Sequence, residues 1–417
     1  MNNPWPITEI GELFEIGAGK SMTPASRHGE HQYPFLRTAN VFWGRIDLTE
    51  VDTMHFTDDE IVTKSLSKGD LLVCEGGDIG RAAIWNGEIG VCGFQNHIHR
   101  LRPKVEDVVP HFFMYYLQAG FTQLGIYEGA GNKTTIPNLS RSRLASLEVP
   151  VPPKPLQEKI AAVLWKIQRA TETERKLIET ARELKQSTMQ QLFTGGLRGE
   201  ALKESELGMM PESWQSLVVS DFGEVVTGTT PRTSERRYYE EGNYDFISPG
   251  DLGVTTKVYR AGKKLTDAGL AVSRVLPKDS VCVVCIGSSI GKVGITTQER
   301  STTNQQINSI IVNERFVPLF VDYLLTYYSD YIRTFASPSP VPIMSKGKFE
   351  QISLYATLNK GEQEAIARIL STIEDKIELH ERKNATLQEL FKTTLHKLMT
   401  AEIRVNDLDI DISEVNL

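Results

Sequence analysis

Cysteine is scarce: four thiols in 417 residues are too few for a disulfide framework and point to the reducing cytoplasm. Long apolar runs are missing as well. Even the longest, of which VCVVCI at 281–286 is one, fall far short of the roughly 20 residues that a membrane-spanning helix needs. The opening MNNPWPITEI has neither a basic region nor an apolar stretch, so no secretory signal is expected. Positive charge is in deficit, with 46 Lys and Arg against 53 Asp and Glu. The net charge of −7 argues against a lone, sequence-blind nucleic-acid binder.

Charge is unevenly spread. Asp407, Asp409, Asp411 and Glu414 mark an acidic tail over 405–417. The first 150 residues are acidic, whereas 205–355 is close to neutral and carries basic clusters. One comprises Arg232, Arg236 and Arg237; another Lys257, Arg260, Lys263 and Lys264.

An internal repeat is the dominant feature. LQEKIAAVLWKIQ from Leu156 returns as EQEAIARILSTIE from Glu362, and aligning Gln157 with Gln363 keeps register without a gap to Arg198 and Arg404. The echo extends upstream with small gaps. GDLLVCEGGDIGRAAI is matched by KDSVCVVCIGSSIGKVGI, FFMYYL by LFVDYL, and IPNLSRSRLASLEV by VPIMSKGKFEQISL. The chain is therefore two copies of one unit, each a mixed domain followed by a long helix. The expected boundaries are a first domain over 1–150, a helix in 151–200, a second domain over 201–355, a helix in 356–404, and the tail.

Periodicity predicts the helices. Ile160, Ile167, Leu177 and Leu184 form the expected heptad seam of the first, and Ile366, Ile373, Leu387 and Leu390 that of the second. Gly195-Gly196 suits a helix stop, and Asn359 with Glu362 an N-cap pair. Each helix spans nearly forty residues, about 55 Å at 1.5 Å per residue. A seam this long needs a partner, and the other copy supplies one as an antiparallel coiled coil. The domains read as strand-rich, with turns such as SKGD and LPKD ahead of buried apolar strands. The expected fold class is α+β with a pseudo-two-fold repeat.

Catalytic motifs do not survive comparison between the copies. GSSIG at 287–291 has the spacing of a nucleophile elbow, but its counterpart GGDIG places Asp78 where Ser289 stands. IGK at 290–292 lacks the phosphate-loop spacing. Alternation puts Cys282 and Cys285 on opposite faces of a strand, against a metal clamp. His97-x-His99 has no further ligands nearby, and no Asn-Pro-Pro-(Tyr/Phe) methylation motif occurs.

The pattern as a whole resembles the specificity subunit of type I restriction-modification systems. The resemblance rests on LEVPVPPKPLQEKIAAVL, ARELKQSTMQQLFTGGLR, PFLRTANVFWGRIDL and VVTGTTPRTSERRYYEEGNYDFISPGDL, and covers about residues 5–404. It departs at Gln157-Glu158, where the family has Glu-Gln, and at YATLNKGEQEAIA, which lacks the preceding prolines. The resemblance implies a non-catalytic subunit reading a bipartite site in double-stranded DNA, one half per domain, with the helices as spacer. They would also dock two methyltransferase subunits and, through them, restriction subunits. S-adenosylmethionine, ATP and Mg would belong to those partners, with no cofactor in this chain. A two-armed coiled-coil adaptor that never touches DNA is the rival reading.

If the two domains read different half-sites, specificity should lie where the copies differ. This points to Arg37, Asn40, Trp43, Arg45 and Lys133 in the first domain. In the second it points to Arg232, Arg236, Arg237, Tyr238, Lys257, Arg260, Lys346 and Lys348.

Overall fold

The computed structural model describes residues 5–125, 127, 138–253 and 255–405. Four helices organise it: α1 (Pro110–Thr122), α2 (Lys154–Gly195), α3 (Pro318–Tyr327) and α4 (Lys360–Met399). The chain forms two compact units, residues 1–175 with 381–417, and residues 176–380. Each unit thus contains one domain, part of α2 and part of α4. No helix among the described residues is long and apolar enough to cross a membrane.

In the first unit β1 (Phe14–Ala18), β2 (Leu71–Cys74), β3 (Ala82–Ile84) and β4 (Ile98–Pro103) form an antiparallel sheet of order β1-β4-β2-β3. In the second, β5 (Gly223–Thr227), β6 (Lys257–Val258), β7 (Val281–Val284), β8 (Val293–Thr296) and β9 (Ile307–Val312) form the order β5-β9-β7-β8-β6. Its first four strands repeat the topology of the other sheet, and β6 adds a parallel edge. Cys282 packs in one core cluster and Cys285 in another, as strand alternation requires. Burial pushes both thiols up to about 12, so neither forms a thiolate at neutral pH.

The repeated Gln-Glu pair has a structural cause. Gln157 is fully buried at the start of α2. Its Oε1 accepts from Val109 N, and its Nε2 donates to the carbonyls of Asp107 and Pro152. Gln363 does the same at the start of α4, accepting from Val317 N and donating to the carbonyls of Arg315 and Thr357. Val109 and Val317 are the N-caps of α1 and α3. One buried amide therefore staples each long helix to its domain, satisfying backbone groups that would otherwise be buried unpaired. The expected N-cap is present, with Glu362 N donating to Asn359 Oδ1 at 2.9 Å. Gly196, at φ +63, ends α2 where a Cβ would lie 2.8 Å from Pro211.

The helices pair antiparallel within each unit. In the first, Ile160 and Leu164 near the start of α2 share a core with Leu395, Leu398 and Met399 at the end of α4. In the second, Met189, Leu192 and Phe193 near the end of α2 share a core with Ile366, Ala367 and Leu370 near the start of α4.

The seam itself differs from the expected one. Ile160 and Ile366 are buried in it, and Ile167, Ile373 and Leu387 are half-buried at its side. Leu177, Leu184 and Leu390 are not seam residues: they are 42, 52 and 48% exposed. The middle of the seam is partly polar instead, with Ile178 and Ile377 its buried apolar residues. Asn384 Nδ2 donates to Thr171 O at 2.9 Å in the first unit, and Lys185 Nζ lies 3.1 Å from Glu374 Oε1 in the second. Counting only apolar side chains shifted the heptad by one position along this polar stretch, a rotation of about 100° around a helix of 3.6 residues per turn.

Candidate nucleic-acid interface

In the first domain a short hairpin, Val41–Phe42 with Arg45–Ile46, carries the tip Trp43-Gly44. Asn40 precedes it and is buried. Its Oδ1 accepts from Arg37 N, and its Nδ2 donates to the carbonyls of Asp47 and Glu50. Every polar group of that amide is engaged by backbone, so Asn40 shapes the loop and cannot read a base as expected. Its counterpart Asp251 accepts from Ser248 N in the same way. Such turns need a short side-chain acceptor three residues on, which the apparent difference between the copies had concealed.

Trp43 packs half-buried against the first core. With Arg45, Gln168 and Phe391 it lines a cavity of about 250 Å³. Arg45 stacks over Phe42 at 4.6 Å and pairs with Asp47 at 3.2 Å. Hydrogen bonds from Thr49 and Arg45 hold the Asp47 carboxyl down to about 2. Arg37 pairs with Asp52 at 2.9 Å. Lys133 lies outside the described residues.

In the second domain Arg236 and Arg237 are exposed and weakly paired, to Glu240 and Glu235 at 3.4 Å each. Arg237 also stacks over Tyr238 at 5.0 Å. Arg232 and Arg260 are exposed and form no ion pair among the described residues. Lys257 lies in the edge strand β6, with Nζ 3.7 Å from Asp375 of α4. Lys346 and Lys348 stand on a short helix, Lys346–Glu350, capped by Ser345.

Two basic features stand outside the expected set of readers. Lys263 and Lys264 sit on the edge strand Lys263–Leu265 and, with Thr233, Tyr239 and Gly262, line a groove of about 430 Å³. Neither lysine forms an ion pair among the described residues. Arg141 and Arg143 occupy a Ser140-capped helix equivalent to the one bearing Lys346 and Lys348. Both copies therefore carry a pair of cations at this helix, although only the second pair was expected. Phosphate contacts carry no sequence information, and both halves can share them.

A four-stranded antiparallel sheet flanked by a helix, present in each unit beside antiparallel stretches of α2 and α4 and bordered by exposed cations, is the architecture of a two-domain recognition protein. The chain belongs to the type I restriction modification DNA specificity domain family, whose model matches residues 2–183 and 211–389. A protein of Methanocaldococcus jannaschii assigned as the MjaX type I restriction enzyme specificity subunit is 24% identical, over 96% of this chain and 94% of its own length. The type I restriction enzyme HindI specificity subunit of Haemophilus influenzae is 21% identical, over 82% of this chain and 88% of its own. The crystal structure of the type I restriction-modification S subunit from M. genitalium superposes with a TM-score of 0.64 at 17% identity, covering 95% of this chain and 96% of that one. The expected α+β repeat is thus the fold of this family.

Proposed function

We propose that the chain is the specificity subunit of a type I restriction-modification complex, reading a bipartite DNA site with one half per domain. The observation that carries this is the duplication of an entire DNA specificity domain, each copy presenting its own set of exposed cations. Methyl transfer and cleavage then fall to partner subunits, which would hold S-adenosylmethionine, ATP and Mg. The complex would work in the cytoplasm, where its DNA is. A chain of net charge −7 supplies little long-range attraction to phosphate, so basic partners would provide much of it.

Docking of two methyltransferase subunits would use surfaces that the repeat presents twice, and Leu184 and Leu390, exposed at equivalent positions of the two long helices, are candidates for them. Replacing both by aspartate is expected to leave thermal unfolding within about 0.5 kcal/mol of the parent, as for other exposed sites. Co-purification with the methyltransferase should be lost. An intact complex would reject these positions as the dock.

The decisive experiment is to express the chain with its cognate methyltransferase and map methylated positions by sequencing. A bipartite motif is expected, and a gel shift should require both proteins. Methylation without a bipartite motif, or no dependence on this chain, would leave the adaptor reading. Within that assay, Lys263→Ala with Lys264→Ala should weaken binding to all sequences alike. Removing one lysine–phosphate pairing flattens the dependence of log affinity on log salt by about 0.9. Alanines at Arg232, Arg236 and Arg237 should also flatten it, and should relax one base position if one of them grips a guanine.

A further inference from the structure

The two domains share a latch to the long helices. In the first, Tyr115 OH donates to Gln168 Oε1 at 2.8 Å, and Gln168 Nε2 donates to Gly44 O at 2.8 Å. In the second, Tyr323 OH donates to Glu374 Oε2 at 2.7 Å, and Thr256 N donates to Glu374 Oε1 at 3.1 Å. Tyr115 and Tyr323 stand in the same register from the proline that opens each helix, Pro110 of α1 and Pro318 of α3. Gln168 and Glu374 are matched in the repeat. Both tyrosines are fully buried.

The chemistry of each latch is self-consistent. A carboxylate can only accept, and the backbone offers it an N–H; an amide can donate, and the backbone offers it a carbonyl. The fit at Gly44 is close. Its φ is +63, which favours glycine, and a Cβ there would lie 2.3 Å from Gln168 Nε2, so a larger residue would displace the amide from the hairpin tip. The residue after each latched position is a cation, Arg45 in one domain and Lys257 in the other. Each cation is further restrained, by Asp47 and Asp375 respectively.

We infer that Gln168 and Glu374 are positioning residues for sequence recognition, each fixing to its long helix the segment that presents a cationic reader, Arg45 or Lys257, to one half-site. The inference rests on the DNA-reading function proposed above. It makes the long helices part of the reading apparatus, because the orientation of each reader is referred to the helix and not only to its own domain. Each latch acts on its own half-site.

The test uses the full chain with its methyltransferase on a randomised DNA library, scoring methylation at each position. Gln168→Met removes the hydrogen bonds with little change in volume. It should reduce discrimination at one or two base pairs of a single half-site by about tenfold, on the scale of a single side-chain-to-base interaction. The other half-site should be unchanged. Tyr323→Phe should do the converse. If Gln168→Met does not fold, Tyr115→Phe, which deletes only the hydroxyl, takes its place. Unchanged discrimination, or equal loss in both half-sites, would overturn the latch as a positioning device. If the parent complex itself yields no bipartite motif, the DNA-reading function falls instead.

Discussion

Lys185→Met is expected to destabilise the second unit by about 3 kcal/mol, the lower end of the range for stripping a buried charge of its partner. Glu374 is 8% exposed and receives Lys185 Nζ at 3.1 Å. Burial pushes its carboxyl up, but the Lys185 charge and the hydrogen bonds from Thr256, Tyr323 and Lys185 outweigh burial and hold it below its ordinary value. Asp322, beside Tyr323 on α3, is fully buried and finds no hydrogen-bond partner among the described residues. Its carboxyl is pushed well up by burial and by Glu374, partly offset by Lys185. Removing Lys185 therefore leaves two buried acidic groups, Asp322 and Glu374, without the cation that offsets both.

The pH dependence follows from these directions. In the parent, the depressed Glu374 contributes stability above its unfolded value, and that stability is lost as pH falls through its folded value. Without Lys185 its folded value should rise above the unfolded one. Stability is then best retained at low pH and lost as pH rises, so the variant should be closer to the parent at pH 4 than at pH 7. The first unit suggests the repair. Phe391 occupies the position equivalent to Lys185, and Gln168 that of Glu374, with Phe391 packed edge-on to Tyr115 at 6.0 Å. Lys185→Phe combined with Glu374→Gln should recover most of the loss. Urea denaturation at both pH values measures all of this, and a neutral single variant would refute the account of the pair.

This polar seam also explains what the sequence could and could not reveal. The duplication, the two long helices and the strand-turn-strand core were legible because periodicity and internal identity report burial directly. Gln157 and Gln363 were visible as a repeat, but their role needs the carbonyls of Asp107 and Arg315, about fifty residues away. The seam was misplaced because a hydrophobic count cannot register Gln168, Lys185, Glu374 and Asn384, whose side chains are held inward by hydrogen bonds. Asn40 was misread for a related reason. A polar side chain in a loop resembles a reader until its backbone partners are known. Lys263 and Lys264 were visible as part of a basic cluster, but that they lie on the edge strand Lys263–Leu265 and line a groove needs the fold.

Residues 1–200 alone are expected to form a two-fold dimer and, with the methyltransferase, to methylate a palindrome built from the first half-site and its inverted repeat. The fragment holds one whole domain and all of α2, but lacks Leu395, Leu398 and Met399, which complete the first core. The repeat supplies substitutes, since Met189, Leu192 and Phe193 stand at the equivalent positions of α2 and are apolar. A second copy can present them antiparallel, producing true two-fold symmetry in place of the approximate kind. The weak point is Lys185. It would replace Phe391 and meet Gln168 of the other copy, with no Glu374 to receive its charge. Desolvating an unpaired ammonium is unfavourable, so the dimer should be looser than the parent pairing, and Lys185→Phe should tighten it. Light scattering of the fragment and its variant gives the mass, and sequencing of methylated DNA gives the site. A fragment that stays monomeric even with phenylalanine at 185, or a dimer that still marks the asymmetric site, would contradict the equivalence of the two copies.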